Sequence, residues 1–471
     1  MPPVEPPPPA AIHLSALPYR ADSSALLLRL RDLGNPVWLD SAHPFDRRGR
    51  YDLISAAPLA TITVDAAGAL SSTGGYTAVG ARAGVGADPF AAVETLLAEL
   101  LPPLPATDVD AELPFSGGAI GWFGYDSGLA AHAIEQRAEP ADFPQAQIGI
   151  YSWAVIVDHQ LQRSRLLIRA ETPAPLRAEL HARLADLGTA PPLPPFRLTS
   201  EWRDSLPASR YRQAFERIQH YIRAGDCYQV NLTRQLSADC DGDPLAAYLA
   251  LRREARAPFS AYLESAAGAV LSFSPERLLS ADGGRLLAQP IKGTASRDAD
   301  PARDAAQAQA LLASTKNRAE NLMIVDLLRN DLGRSCKAGS IRVERLFELQ
   351  SFAAVHHLVS SISGELRDEV SPLQALRDSF PGGSITGAPK RRAMQIIAEL
   401  EPHRRSIFCG AIGYLSSCGR MDFNIAIRTL RVSAGEVSAW AGGGIVADSD
   451  CDEEWQETEH KIGALLRALA P

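Results

Sequence analysis

Apolar residues return every three or four positions in Pro89–Leu101 and again in Pro175–Leu187, where Leu176, Leu180, Ala182, Leu184 and Leu187 can line one face. That spacing predicts two amphipathic helices. Shorter apolar runs of strand length stand at Val37–Leu39, Ala60–Val64 and Ile148–Val157. Beyond residue 200 the pattern predicts a helix over Ser209–Ala224, strands around Gln229–Leu236 and Ala269–Ser274, and a long helix over Ala302–Leu332 with a break near Ser314. Strands follow at Val355–Ile362, Ile407–Leu415, Asp422–Val432 and Val437–Trp440, and a closing helix covers Asp452–Leu469. Helices and strands do not alternate regularly, so the pattern predicts an α+β fold rather than a doubly wound parallel sheet.

Proline marks the boundaries. Six of the first nine residues are proline, which predicts an extended, poorly ordered tail over 1–11. A second proline cluster, Ala190-Pro-Pro-Leu-Pro-Pro195, predicts a linker over 189–199 between an N-terminal region, 12–188, and a C-terminal region, 200–471. No repeat of 20 to 50 residues is present.

Composition narrows the class of protein. The chain has 471 residues, 46% apolar and 22% charged, with a net charge of −8. These proportions are those of a soluble globular protein. The negative balance argues against nucleic acid or an anionic membrane surface as a partner, since both select a basic footprint. No run approaches the ~20 apolar residues of a spanning helix. The N-terminus also lacks the basic start and apolar stretch of a secretory signal. Six cysteines without a C-x-x-C pair predict free thiols in a reducing compartment rather than a zinc or disulfide scaffold. A cytoplasmic enzyme is the class that remains.

Several segments carry candidate chemistry. In the closing helix, Glu454, Glu457 and Lys461 share a face, after a glycine-rich stretch, Ala441-Gly-Gly-Gly-Ile-Val-Ala-Asp448, read as a loop. Carboxylates beside an anion-binding backbone point to Mg²⁺, which takes one or two carboxylates plus substrate oxygens; the bland reading is a solvated helix with a Glu457–Lys461 pair. Glu320, beside the apolar run Leu322–Val325, is either a salt-bridged rim residue or a metal ligand. Glu276 and Lys292 each stand at the end of a predicted strand. A buried lysine can lose its proton and act as nucleophile, and a buried glutamate can serve as acid and then base. Either is otherwise an ordinary turn residue. Pro381-Gly-Gly-Ser-Ile-Thr-Gly-Ala-Pro389-Lys390 reads as a glycine-rich loop into a helix, with Pro389 near its first position. It lacks the G-K-[ST] ending of a P-loop. Of His356-His357, one must point to each face of its strand.

Taken in order, SPER (274–277), PIKGT (290–294), RAENLMIVDLLRNDLGR (318–334), AVHHLVS (354–360), PGGSITGAPK (381–390), GAIGYL (410–415), IRTL (427–430) and GGGIVADSD (442–450) resemble the chorismate-utilising enzymes. In the N-terminal region, WLDS (38–41), RYDLISAAP (50–58) and GGAIGWFGYD (117–126) resemble the family's partner segment. The resemblance implies antiparallel sheets packed face to face with helices outside. Anthranilate synthases carry Ala where PIKGT has Lys292, so the resemblance points to the branch that makes 4-amino-4-deoxychorismate from chorismate and ammonia, for 4-aminobenzoate and folate.

The site residues follow as implications of that resemblance. Lys292 would add at C2 of the ring while Glu276 protonates the departing C4 hydroxyl, and His357 matches an active-site histidine. Mg²⁺ would be held by Glu320 and Glu457, with Glu454 assisting. Arg428 and Tyr414 would hold the enolpyruvyl carboxylate. Thr294, Lys461 and the Gly443–Gly444 backbone would complete the substrate site. A pocket for L-tryptophan would be formed by Ser41, Arg50, Tyr51, Pro258, Phe259 and Ser260, although Pro44-Phe45-Asp46-Arg47-Arg48 departs from the family's tract there.

The nearest approach to a glutaminase nucleophile turn, Gly225-Asp-Cys227-Tyr-Gln229, lacks its second glycine. A separate glutamine amidotransferase subunit is therefore the implied ammonia source. The competing readings are anthranilate synthase, an isochorismate-type enzyme using water, and a catalytically silent tryptophan- or chorismate-binding regulatory subunit. The last would leave the whole acidic and basic cluster idle.

Overall fold

The computed structural model describes residues 11–469 apart from 47–48, 75–86, 105–109, 111, 136, 140–141, 189–191 and 353–354. The predicted tail lies outside the described residues up to residue 10, as do the first three residues of the linker. Two antiparallel sheets, of 13 and 11 strands among the described residues, form the frame. One apolar core draws on both: Val37, Val230, Leu263 and Val270 from the first, Ile62, Ile120, Leu279 and Ile412 from the second. A separate cluster joins the first sheet to the helices, with Trp38, Val155 and Leu271 packed among Leu27, Leu180, Leu251 and Ile462. The α+β class, with sheets face to face and helices outside, is the architecture observed.

The two regions are not separate bodies. Val37–Asp40 pairs with Phe259–Ser265 in the first sheet, and Gly118–Phe123 pairs with Ala411–Ser416 in the second. Strands from both sides of the proline linker thus interleave in each sheet.

Helices match the pattern closely: Pro89–Leu100, Ala174–Ala185, Ala208–Arg223, Pro301–Ala313, Thr315–Gly333 and Cys451–Leu469. Ser314 divides the long helical stretch, and its hydroxyl accepts the Asn317 N–H as an N-cap. Strands differ in one instructive way. The run Ile148–Val157 is two strands, Ala146–Tyr151 and Trp153–Asp158, which belong to different sheets. Asp422–Val432 likewise splits into Met421–Ile425 in the second sheet and Thr429–Ser433 in the first. In Ile407–Leu415 the strand begins only at Ala411, after a turn in which Cys409 has φ 64°. Apolar periodicity reports burial, and a corner between two packed sheets is as buried as the strands it joins.

Candidate active site

The sheet-to-sheet corners carry the chemistry. Gly268–Ser274 lies in the first sheet and Arg277–Asp282 in the second, so Glu276 sits where the chain crosses between them. The return crossing, Ala426 to Arg428, lies alongside it. The Ile425 N–H donates to the Glu276 carbonyl at 3.0 Å, and Ser274 Oγ donates to the Ile425 carbonyl at 2.6 Å. Arg428 adopts φ 50°, a left-handed conformation that ordinary side chains rarely take. Its guanidinium is half-buried and makes no side-chain hydrogen bond or ion pair among the described residues. Burial alone pushes its pKa down.

Lys292 stands on the strand Ile291–Ser296, which pairs with Val355–Glu365. The register shifts at Gly293 (φ 79°), so that Lys292 faces Leu358 and Thr294 faces His357. An added Cβ on Gly293 would stand 3.0 Å from Asn317 and Leu311, so glycine lets the two helices 301–313 and 315–333 close on the bulge. Lys292 Nζ donates to the Ser384 carbonyl at 3.1 Å. Ser384 Oγ donates to Glu276 Oε1 at 2.8 Å. Burial pushes the Glu276 carboxyl up, against the opposing pull of Lys292 and the Ser384 hydroxyl. Burial pushes the Lys292 amine down, helped by Lys461 and resisted by Glu276, Glu320 and Glu457. A buried acid and a half-buried base of this kind each favour the neutral form.

The predicted metal ligands converge from two helices, Glu320 from Thr315–Gly333 and Glu454 and Glu457 from Cys451–Leu469. Burial raises Glu320 and Glu454, and the charge of Glu457 adds to both. Glu457 is pushed up by burial but ends below the ordinary range because Lys461 pairs with it at 2.5 Å. Ser449 Oγ donates to Glu454 at 2.7 Å. Among the described residues no three His, Cys, Asp or Glu side chains are arranged to hold a metal by themselves. A magnesium site needs fewer, since substrate and water supply its remaining oxygens. Mutually repelling carboxylates on facing helices fit such an ion.

The glycine-rich stretch is the end of a strand, Glu436–Ile445, rather than a loop. Its neighbour Thr429–Ser433 pairs only as far as Ala439, so residues 440–445 keep one edge free of any strand. Lys461 Nζ uses the Gly442 carbonyl at 2.9 Å. A Cβ on Gly443 would meet Glu454 at 2.8 Å, and one on Gly444 would meet the Gln229 amide at 2.9 Å, which explains glycine at both.

His357 is buried, hydrogen-bonds Thr294 Oγ1 through Nδ1 at 2.9 Å, and packs edge-on to Phe352. Tyr414 is the residue the structure sets apart. It lines a cavity of about 770 Å³, together with the predicted tryptophan residues Ser41, Arg50, Tyr51, Pro258, Phe259 and Ser260. Pro275, Arg277 and Ile291 line the same cavity. Glu276 and Lys292, their neighbours in sequence, are engaged instead with Ser384. Arg428 does not line this cavity, so the structure does not group Tyr414 with it.

Sequence reasoning missed Ser384, Gln229 and the Lys390–Asp331 pair. Gln229 is 1% exposed, and among the described residues neither its amide nitrogen nor its oxygen has a hydrogen-bond partner. Lys390 Nζ reaches Asp331 at 2.7 Å and the Ser379 carbonyl at 2.9 Å, tying the 381–389 loop to the helix that bears Glu320. Ser384 and Lys390 were inside a motif already singled out; nothing in the sequence told which side chain turned inward.

Comparison with known proteins shows the family. Residues 36–467 match the model of the chorismate binding enzyme family, and the chain belongs to that family. It is 46% identical to aminodeoxychorismate synthase component 1 of Salmonella typhimurium over 91% of each chain. It is 43% identical to the Escherichia coli protein of the same name over 96% of this chain and 97% of that one. Among solved structures, anthranilate synthase component I from Streptococcus pneumoniae superposes with a TM-score of 0.77 at 30% identity, over 89% of this chain and 92% of that one.

Proposed function

We propose that the protein converts chorismate and ammonia to 4-amino-4-deoxychorismate and water, in the cytoplasm, with a separate glutamine amidotransferase subunit releasing the ammonia. The observation that carries this reading is a half-buried Lys292 amine with no carboxylate paired to it among the described residues, linked through Ser384 to a buried Glu276. In the first step the Lys292 nitrogen adds to C2 of the ring, both ring double bonds shift by one bond, and the C4–O bond breaks as Glu276 gives its proton to the departing hydroxyl. In the second, ammonia bonds to C4, both double bonds return to their first positions, and the C2–N bond to Lys292 breaks. Glu276 takes up the proton that the new amine loses. Arg428, whose charge has no partner of its own, suits the enolpyruvyl carboxylate. The Gly443–Gly444 edge, Lys461 and Thr294 complete the proposed substrate site.

Mg²⁺ is the proposed cofactor, held by Glu320 and Glu457 with Glu454. When bound it would anchor the ring carboxylate and withdraw electron density from the ring. L-Tryptophan is the proposed occupant of the 770 Å³ cavity, which is lined by the six residues the family resemblance implies.

The test is an assay of purified protein with chorismate, ammonium and Mg²⁺, read by mass spectrometry. The expected product is 4-amino-4-deoxychorismate, with no turnover from glutamine alone. Anthranilate as main product would overturn the branch, and no product would overturn the reading as a whole.

A further inference from the structure

Lys292 and Glu276 do not form a direct ion pair; each instead touches Ser384. One residue thus holds both reactive groups, the nucleophile through its main-chain carbonyl and the acid through its hydroxyl. Ser384 is 5% exposed, so water does not replace either contact readily. Its own position is over-determined. It lies in the short turn Gly383–Ile385. Thr386 Oγ1 donates to the Gly382 carbonyl at 3.0 Å, and the next carbonyl, that of Ile385, accepts from Arg405 at 2.8 Å and from Asn231 at 3.1 Å. A Cβ on Gly383 would stand 2.4 Å from Leu327, so the turn is pressed against the helix that carries Glu320. None of this scaffolding is needed for a connecting loop between two helices. It is what a fixed contact to two side chains, one on a strand and one at a crossing between the sheets, requires.

We propose that Ser384 is a positioning residue that sets the Glu276 carboxyl and the Lys292 amine at a fixed separation and stabilises the carboxylate form of Glu276 between its two proton transfers. This rests on the functional reading above. The hydroxyl donates to Glu276 Oε1, and such a bond is stronger to a carboxylate than to the carbonyl oxygen of a carboxylic acid, so it favours the state left after the first step. The charged groups that act on Glu276 are Lys292 and Lys461, and Cys409 is near enough to feel its charge. Those acting on Lys292 are Glu276, Lys461, Glu320 and Glu457.

The test compares Ser384→Ala and Ser384→Thr with the parent protein. For Ser384→Ala, kcat is expected to fall by roughly 10- to 100-fold, the scale set by slight misplacement of reacting groups. KM for chorismate should change little. The high-pH limb of the rate profile, where Glu276 loses its proton, should move upward because a stabiliser of the carboxylate is gone. Ser384→Thr, which keeps the hydroxyl, should restore both rate and limb. Isotope-edited titration of the Glu276 carboxyl gives a readout independent of activity, and it should move upward in Ser384→Ala. Thermal melting checks that each variant is folded, and Ser384→Cys, a weak donor of similar size, serves if alanine does not fold. Wild-type kcat and an unmoved titration in Ser384→Ala would overturn the proposal. So would equal losses in the alanine and threonine variants with no shift of the limb. Failure of the functional reading looks different: the parent itself makes no 4-amino-4-deoxychorismate.

Discussion

Two compartments share the same strands, and their charges are handled in opposite ways. The 770 Å³ cavity takes Pro275, Arg277 and Ile291; the Ser384 site takes Glu276 and Lys292. Within the cavity every arginine is matched. Arg277 pairs with Asp422 at 2.8 Å, Arg420 with Asp282 at 2.9 Å, and Arg50 with Asp158 at 2.9 Å. In the other compartment the amine of Lys292 rests on a carbonyl, Arg428 has no partner among the described residues, and burial holds three of the four glutamates, Glu276, Glu320 and Glu454, above the ordinary pKa. The 770 Å³ cavity is the quieter of the two electrostatically. Unspent charge in a confined site, rather than volume, marks where a reaction can be driven.

The contrast can be broken most severely at Lys292. Lys292→Ala is expected to lower kcat by on the order of 10³-fold or more with little change in KM for chorismate, since the side chain acts in the transition state. Glu457→Ala, or chelation in the parent protein, should abolish Mg²⁺-dependent turnover, and full activity in chelator would remove the metal from the account. Arg428→Ala should cost about 2–5 kcal/mol of substrate binding, read as a large rise in KM, if its charge pairs with a buried substrate carboxylate. The pH profile follows from the same compartment. Rate should fall on the acid side, where Lys292 becomes a cation, and on the alkaline side, where Glu276 loses its proton. Because Lys292 is lowered and Glu276 raised, both limbs belong to the coupled pair. Smallest of all, Tyr414→Phe should leave kcat within about 3-fold of the parent, since a side chain outside the reacting site changes the barrier by well under 1 kcal/mol. A drop of 100-fold would return Tyr414 to the substrate site.

Much of this was legible beforehand, and the misses have a common cause. Helix 315–333 was placed with its Ser314 break because capping and 3.6-residue spacing are local properties. Lys292, Glu276, Glu320 and Glu457 were named together through motif resemblance, and the fold does bring them within electrostatic reach of one another. The corners at Ser152 and at 426–428 were not visible, since both sheets bury their strands equally well. Tyr414 was grouped with Arg428 through the resemblance alone, and a motif does not tell which cavity a side chain lines. Gly443 and Gly444 were read as loop because glycine is rare within strands; here they clear space for Glu454 and Gln229. Ser384 and Gln229 depend on long-range contacts that no window of sequence contains.

The central claim is a transient bond between Lys292 and the ring, and it can be observed directly. Protein mixed with chorismate and Mg²⁺ in the absence of ammonia is quenched rapidly, digested and examined by mass spectrometry. The account predicts a substrate-derived adduct on the peptide containing Lys292, absent in Lys292→Ala and discharged when ammonium is added. An unmodified peptide, together with undiminished product formation by Lys292→Ala, would contradict it.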